Sequence, residues 1–323
     1  MRGHIRNSPD AAWQALLGTL AVHAGRDSGG RRANLAVPPG RAGRRAWTRE
    51  TGITAVRYEI LGPLRVLNNE KSSTLRARHV EVVLAALLVN ANRMVTADQL
   101  IAELWHDNPP RTAMASLYVC ISKLRKFLHG IGYAADPVET KSPGYALRAE
   151  NDEFDAWNFE LLFERGRLDA KAGRHEQASE SFAAALGLWR GPALGNLRDG
   201  PMLGAFATWV EEARLQCLEL MIESNLALGL HREMIGQLYS LAGEHPLRET
   251  FYGQLMLALY RAERQADALA AYRSARETLH DQLGTEPGRA LSAMQRAILR
   301  TDNRLDLREP SPAADRKRTV NVR

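Results

Sequence analysis

Seven side chains between Arg111 and His129 could do chemistry together. Arg111, Tyr118, Ser122, Arg125, Lys126 and His129 fall on one side of a single helical repeat, with Lys123 further round. On the other side Ala113, Leu117, Cys120, Ile121, Leu124 and Leu128 form an apolar stripe within about 100° of arc. No Asp or Glu occurs from Arg111 to Leu128. Such a face donates hydrogen bonds and carries positive charge, which suits phosphate oxygens and the acceptor edge of guanine. The same residues could also be an ordinary solvated basic face, so the flanking elements decide. Lys141 and Tyr145 follow at a short turn, Ser142-Pro143-Gly144-Tyr145, that closes a hairpin beside the helix.

Other chemistries find no constellation. His106 and His175 have no nucleophile motif or glycine-rich loop near them. Asp98 and Glu103 lie five residues apart, which puts them on different faces of a helix. The two cysteines, Cys120 and Cys217, are nearly a hundred residues apart, and the nine histidines are scattered without metal-ligand spacing. No phosphate-loop GxxxxGK[ST] occurs. The expectation is therefore no catalytic residue, no cofactor, no metal and no enzyme, in a reduced, cytoplasmic chain.

The elements that position the basic face are legible as patterns. Val80, Val83, Leu84, Leu87 and Leu88 predict a helix over about 77–90. A second helix starts at Thr96, a suitable N-cap, and carries Leu100, Ile101, Leu104 and Trp105. Pro110 suits the first turn of the third helix, where its missing N–H costs nothing. Residues 56–67 alternate like strands and break at Gly62-Pro63, as a hairpin would. Val138-Glu139-Thr140 and Tyr145-Ala146-Leu147 predict a second hairpin after the third helix. The order is strands, three helices, then a hairpin, in which the last helix of the trio is the reader of a helix-turn-helix.

At these residues a family likeness becomes specific. Tyr58-Glu59-Ile60-Leu61-Gly62-Pro63-Leu64, Leu100-Ile101-Ala102-Glu103-Leu104-Trp105, Ile121-Ser122-Lys123-Leu124-Arg125-Lys126 and Gly144-Tyr145-Ala146-Leu147 resemble the winged helix-turn-helix of the OmpR/PhoB class. The opening motif and the helical segment beyond the wing narrow the likeness. The chain from Val56 to about Ile298 resembles the Streptomyces antibiotic regulatory proteins, in which that domain joins a bacterial transcriptional activation domain. The resemblance implies a sequence-specific DNA-binding activator of a secondary-metabolite gene cluster. It implies binding to promoter direct repeats as a homodimer, recruitment of RNA polymerase holoenzyme, and a cytoplasmic, nucleoid-associated location without a membrane. Ser122, Arg125 and Lys126 are the candidates nearest base edges. Arg111, Lys123, Lys141 and Tyr145 are nearer the backbone, and Tyr118 shares the face. Two alternatives stay open: a protein-interaction scaffold, and a repressor using the same DNA-binding domain. A receiver domain is not expected, because residues 1–55 are too few to build one, and ATP-driven control is not expected without a phosphate loop.

Charge and length agree with two domains. Residues 1–50 hold nine arginines against three acids, residues 51–150 carry a net +3 and residues 151–323 a net −3, within the formal total of +6. The overall basic balance thus owes most to the leading segment, and the local cationic helix is the better pointer to nucleic acid. The apolar stretch 11–23 contains Trp13, Gln14 and His23 and is too short to span a membrane, so export is not expected. The second half is dominated by helical periodicity. Ala178, Phe182 and Ala185 are spaced four and three, and Ala268, Tyr272 and Ala275 repeat that spacing; Met234, Leu238 and Leu241 keep it with larger residues. With Gly166, Gly173 and Pro246 this fits about three tetratricopeptide-like helix pairs, in which small residues let helices approach and the aromatic fills the groove. A generic helical bundle is the alternative. Trp157, Trp189, Trp209 and Tyr252 are expected in the core.

The expected fold is mainly α: an N-terminal winged helix-turn-helix (α+β) followed by an all-α tetratricopeptide-like domain. The expected boundaries are a basic disordered extension over 1–52, the DNA-binding domain over 53–149, the activation domain over 154–300 and a disordered tail over 301–323. Glu150-Asn151-Asp152-Glu153 reads as a short charged linker.

Overall fold

The computed structural model describes residues 56–307 apart from 69–70, 74, 76, 134 and 150–151; the leading extension and the end of the tail lie outside the described residues. The chain divides into two compact units. The first holds the residues up to Glu160 together with Gly187–Arg214; the second holds Leu161–Leu186 and the residues from Leu215 onward.

The first unit begins with the expected hairpin. Strands β1 (Arg57–Glu59) and β2 (Arg65–Asn68) pair antiparallel, with Tyr58 opposite Val66. Two short strands complete that sheet in the order β3-β2-β1-β7: β3 (Lys71–Ser73) and β7 (Glu153–Phe154), the latter parallel to β1. The expected linker is therefore partly a strand. Glu153 N–H donates to Val56 O at 2.9 Å, and the Asp152 carboxylate accepts from Val56 N–H at 3.2 Å. The Tyr133 hydroxyl donates to Asp152 and meets the fully buried Tyr58 hydroxyl at 2.9 Å, so these residues are structural.

Helix α1 (Arg78–Val89) runs through the middle of this unit. Val80, Val83, Leu84, Ala85, Ala86, Leu87 and Leu88 are all buried, so more than one face is covered. Strand β4 (Met94–Thr96) leads into α2 (Ala97–Trp105), which starts at a capping box: Thr96 Oγ1 accepts from Gln99 N–H, and Gln99 Oε1 accepts from Thr96 N–H. Helix α3 spans Ala113–Gly130. It starts three residues later than Pro110 suggested. Pro110 instead belongs to a turn, whose carbonyl accepts from Ala113 N–H at 2.9 Å. The wing is β5 (Val138–Lys141) and β6 (Gly144–Leu147), and β6 also pairs with β4 in a sheet of order β4-β6-β5. Gly144 stands opposite Thr96, where a Cβ would lie 2.0 Å from Val95 O, so only glycine fits that approach.

Two buried carboxylates finish the unit. Asp155 opens α4 (Asp155–Lys171) and accepts from Ile60 and Leu61 N–H at 2.8 and 2.9 Å. Burial pushes its carboxyl up to about 6, against those two donors and the Arg190 guanidinium, which favour the ionised form. The loop after Gly187 returns to the same hairpin: Arg190 N–H donates to Leu61 O and Leu194 N–H to Ile60 O, at 2.8 and 2.9 Å. Glu103 of α2 is the second carboxylate. It accepts from Met202 and Leu203 N–H at 2.8 and 2.9 Å, at the first turn of α6 (Pro201–Ala227). Burial pushes its carboxyl up, opposed by the same two donors and by His106. Pro201 needs no acceptor in that turn, so Glu103 satisfies two of the three other amides that a helix start leaves open. Gly200 fits against it because a Cβ there would lie 2.1 Å from Glu103 Oε1.

The second unit is all helix. It takes the later part of α4, α5 (His175–Leu186), the later part of α6, α7 (His231–Glu244), α8 (Glu249–Arg261), α9 (Gln265–Leu283) and α10 (Arg289–Leu299). Both alanine–aromatic–alanine triads are buried, as are Leu238 and Leu241. Gly166 lets Phe182 lie against α4: a Cβ there would come within 2.5 Å of the Phe182 ring. Gly173 takes the left-handed conformation (φ 73°) at the turn between α4 and α5. Among the expected core aromatics Tyr252 is buried, but Trp157, Trp189 and Trp209 are half-buried. Trp157 stacks on Phe154 at 4.0 Å, and the Arg214 guanidinium lies over Trp189 at 4.8 Å. Residues 301–307, the described part of the expected disordered tail, are structured. Asn303–Leu305 form a 3-10 turn, Leu305 is buried, and its carbonyl accepts from Arg261 Nε at 2.7 Å.

Glu103→Ala leaves two helix-start amides without their acceptor in a buried place. The expected loss is about 2–6 kcal/mol of unfolding free energy, at about 1–3 kcal/mol per orphaned group, with Glu103→Gln losing less. Urea unfolding of the full chain, followed by tryptophan fluorescence, measures it.

Candidate nucleic-acid interface

The third helix sorts its residues by face. Ala113, Leu117, Cys120, Ile121, Leu124 and Leu128 are all buried, and they hold α3 against α1 and α2. Cys120 is a small buried residue in that stripe, and burial pushes its thiol up. Ala115, Val119, Ser122 and Lys126 recur at i, i+4, i+7 and i+11 on the opposite side, and all four are exposed. Met114 and Tyr118 flank that line and are exposed too. Arg111 is exposed in the turn before the helix; Lys123 and His129 are exposed on it. Among the described residues, Arg111, Lys123 and Lys126 carry no salt bridge, so their charges are directed to solvent.

Two of the candidate residues are engaged within the fold. Arg125 is half-buried and ties α3 to the wing. Its Nε sits 2.6 Å from Asp136 Oδ2, and Nη2 donates to Val138 O at 2.7 Å and to Thr140 Oγ1 at 2.9 Å. Three of its five N–H groups are held this way, which ties the guanidinium to the wing and leaves the two on Nη1. Tyr145 is buried on β6, with burial raising its hydroxyl and with Tyr118 and Arg125 close by. Lys141, at the end of β5, is exposed but paired with Glu139 at 2.8 Å; Arg148 pairs with the same carboxylate. The structure thus brings Tyr118, Ser122, Lys123 and Lys126 together on one open face, with Arg111 ahead of it and Lys141 on the wing.

The charge pattern of the sequence missed the middle of that face. Ala115 and Val119 were visible by spacing, but a reading by charge passes over them. It also missed Arg78 and His79, which start α1 and line a cleft of about 420 Å³ with Ser116, Val119 and Lys123. Arg78 is bonded within the unit, to Asp199 at 2.6 Å and to Asn196 O at 2.9 Å.

Among the described residues no group of three or more His, Cys, Asp or Glu is placed to hold a metal ion. No described helix is long and apolar enough to cross a membrane.

Two family models match the chain: "Transcriptional regulatory protein, C terminal" over residues 71–147 and "Bacterial transcriptional activator domain" over residues 154–299. The chain is 39% identical over 246 residues to the transcriptional regulatory protein EmbR of Mycobacterium tuberculosis, covering 75% of this chain and 63% of that one. It therefore spans less than two thirds of the length of EmbR. It is 36% identical over 267 residues to the regulatory protein DnrI of Streptomyces peucetius, covering 80% of this chain and 98% of that one. A solved structure, Mycobacterium tuberculosis EmbR in complex with a low affinity phosphopeptide, aligns with a TM-score of 0.73 at 35% identity, covering 82% of this chain and 69% of that one.

Arg125→Ala is expected to loosen the wing without emptying the open face. It should lower the unfolding midpoint of the full chain, consistent with a loss of about 1–3 kcal/mol for a charged hydrogen-bonding group. Lys126→Ala, exposed on the same helix, should stay within about 0.5 kcal/mol of the parent. Thermal unfolding of the two variants side by side checks the contrast.

Proposed function

The chain belongs to the Streptomyces antibiotic regulatory protein family, and from that premise we propose that it is a sequence-specific DNA-binding regulator of transcription. The observation that carries this reading is the acid-free open face of α3, with unpaired Lys123 and Lys126 and a wing locked to its flank by Arg125. A helix with that face enters a major groove, and the wing lies along the adjoining backbone. Ser122 and Lys126 lie nearest base edges, while Arg111, Lys123, Lys141 and Tyr118 lie nearer phosphates. Arg125 and Tyr145 act by holding the wing in place.

The finer reading is a pathway-specific activator of a secondary-metabolite gene cluster. It binds promoter direct repeats as a homodimer, and the helical second unit recruits RNA polymerase holoenzyme through its surfaces. Solenoids of paired helices commonly bind other proteins in this way. The location is the cytoplasm, on the nucleoid, and no catalytic step is involved.

The test is a footprint of the full chain on DNA from its own gene neighbourhood at two salt concentrations. Protection of two short direct repeats beside a promoter is expected. The logarithm of affinity should fall with log salt by about 0.9 per neutralised phosphate. Lys123→Ala should weaken all sequences alike and lower that slope by about one. Lys126→Ala should cost about 1–3 kcal/mol and relax the preference at one base position. Unchanged affinity and preference in Lys126→Ala would remove α3 from the role of reader.

A further inference from the structure

The open face of α3 is not uniformly polar. The line furthest from the core is Ala115, Val119, Ser122 and Lys126, and Val119 is 52% exposed. Met114 (40%) and Tyr118 (58%) widen the apolar part. A β-branched residue left this open in a helix gains neither packing nor propensity there, and so invites a partner surface.

The chemistry of the line narrows what that surface is. Guanine is read best by a bidentate Arg, adenine by Asn or Gln, and cytosine by Asp or Glu. The line contains none of these residue types, and the neighbouring Arg125 has three of its five N–H groups held by Asp136, Val138 and Thr140. One Lys and one Ser remain for hydrogen bonding. The base-edge group that matches Ala and Val is the C5 methyl of thymine. Charge complementarity favours DNA over a second copy of the chain. The patch is bordered by Lys123 and Lys126, with Arg111 ahead of the helix, and no carboxylate lies on the helix.

We propose that α3 reads its site mainly through thymine methyl groups, contacted by Ala115 and Val119. Lys126 supplies a guanine contact in the same half-site. This rests on the DNA-binding reading above and specifies which bases that site contains. Ala115 and Val119 lie one turn apart, about 6 Å along the helix axis, close to two base-pair steps at about 3.4 Å each. Each half-site therefore carries two thymines within about two steps of one another, with a guanine further along the groove. Ser122, between them, reaches either a base or a phosphate.

The probe is the footprinted duplex with thymines replaced one at a time by deoxyuridine, which deletes only the C5 methyl. The full chain should lose about fourfold in affinity at each of two positions per half-site, the factor for one buried methyl. Val119→Ala should weaken binding to the thymine duplex by a similar factor and become indifferent to deoxyuridine at one of those two positions. Val119→Thr keeps one methyl and replaces the other by a hydroxyl, and should fall between the parent and the alanine variant; the position is exposed, so folding is retained. Undiminished affinity with deoxyuridine at every position would overturn the proposal while leaving DNA binding intact. A Val119→Ala chain that keeps full sensitivity to deoxyuridine but changes its oligomeric state would overturn it too, by assigning the patch to self-association. Failure of the parent chain to protect any unmodified DNA would overturn the reading on which the proposal rests.

Discussion

The carboxylate of Glu103 fixes how the first unit is built. It is 3% exposed, and both of its oxygens are spent on the first-turn amides of α6, about a hundred residues away in sequence. A helix start carries partial positive charge, so an ionised acid in that place gains from the dipole as well as from two hydrogen bonds. The geometry has little slack, because Pro201 removes one amide and Gly200 removes the Cβ that would collide with the carboxylate. Asp155 does the equivalent work at the other end of the unit, on the amides of Ile60 and Leu61. Hydrophobic burial holds α1, α2 and α3 together, but these two acids determine which distant segments complete the unit.

The second constraint is the guanidinium of Arg125. On charge alone it belongs with Lys126 as a reader. In the folded chain its planar fork meets an aspartate, a strand carbonyl and a threonine hydroxyl, all from the residues that lead into and form β5. Arginine suits that work better than lysine because the fork can serve several acceptors at once. One residue thus couples the angle of the wing to the face of α3.

Much of this was legible in the sequence. Helical periodicity located α1, α2 and the buried stripe of α3, and the alanine–aromatic–alanine spacing located the buried faces of α5 and α9, because burial enforces those periods. The residues that escaped did so for physical reasons. Strands β3, β4 and β7 span two to three residues, too few to show an alternation. Glu150-Asn151-Asp152-Glu153 looks like a charged break, yet Asp152 and Glu153 close the edge of a sheet against Val56. Pro110 satisfies the rule for a helix start, but the chain makes one more turn before α3 begins. The bonds that Arg125, Tyr145 and Glu103 make in the fold escape a sequence reading because a side chain's partners are not revealed by spacing.

These partners also bear on where the DNA-binding part ends. The two family matches meet between residues 147 and 154, which suggests a cut there. The hydrogen bonds run differently. The amides of Ile60 and Leu61 are satisfied by Asp155, and their carbonyls by Leu194 and Arg190; Glu103 is satisfied by Met202 and Leu203. A chain ending near 149 would leave buried backbone groups and a buried acid without partners, which costs more than the surface charges of the same region contribute. Residues 187–214 sit within the activation-domain match by sequence, but by hydrogen bonding and compactness they belong with the winged helix. The boundary that matters for folding is therefore set by these partners rather than by the gap between motifs. The open face of α3 is presented by a unit assembled from both halves of the chain.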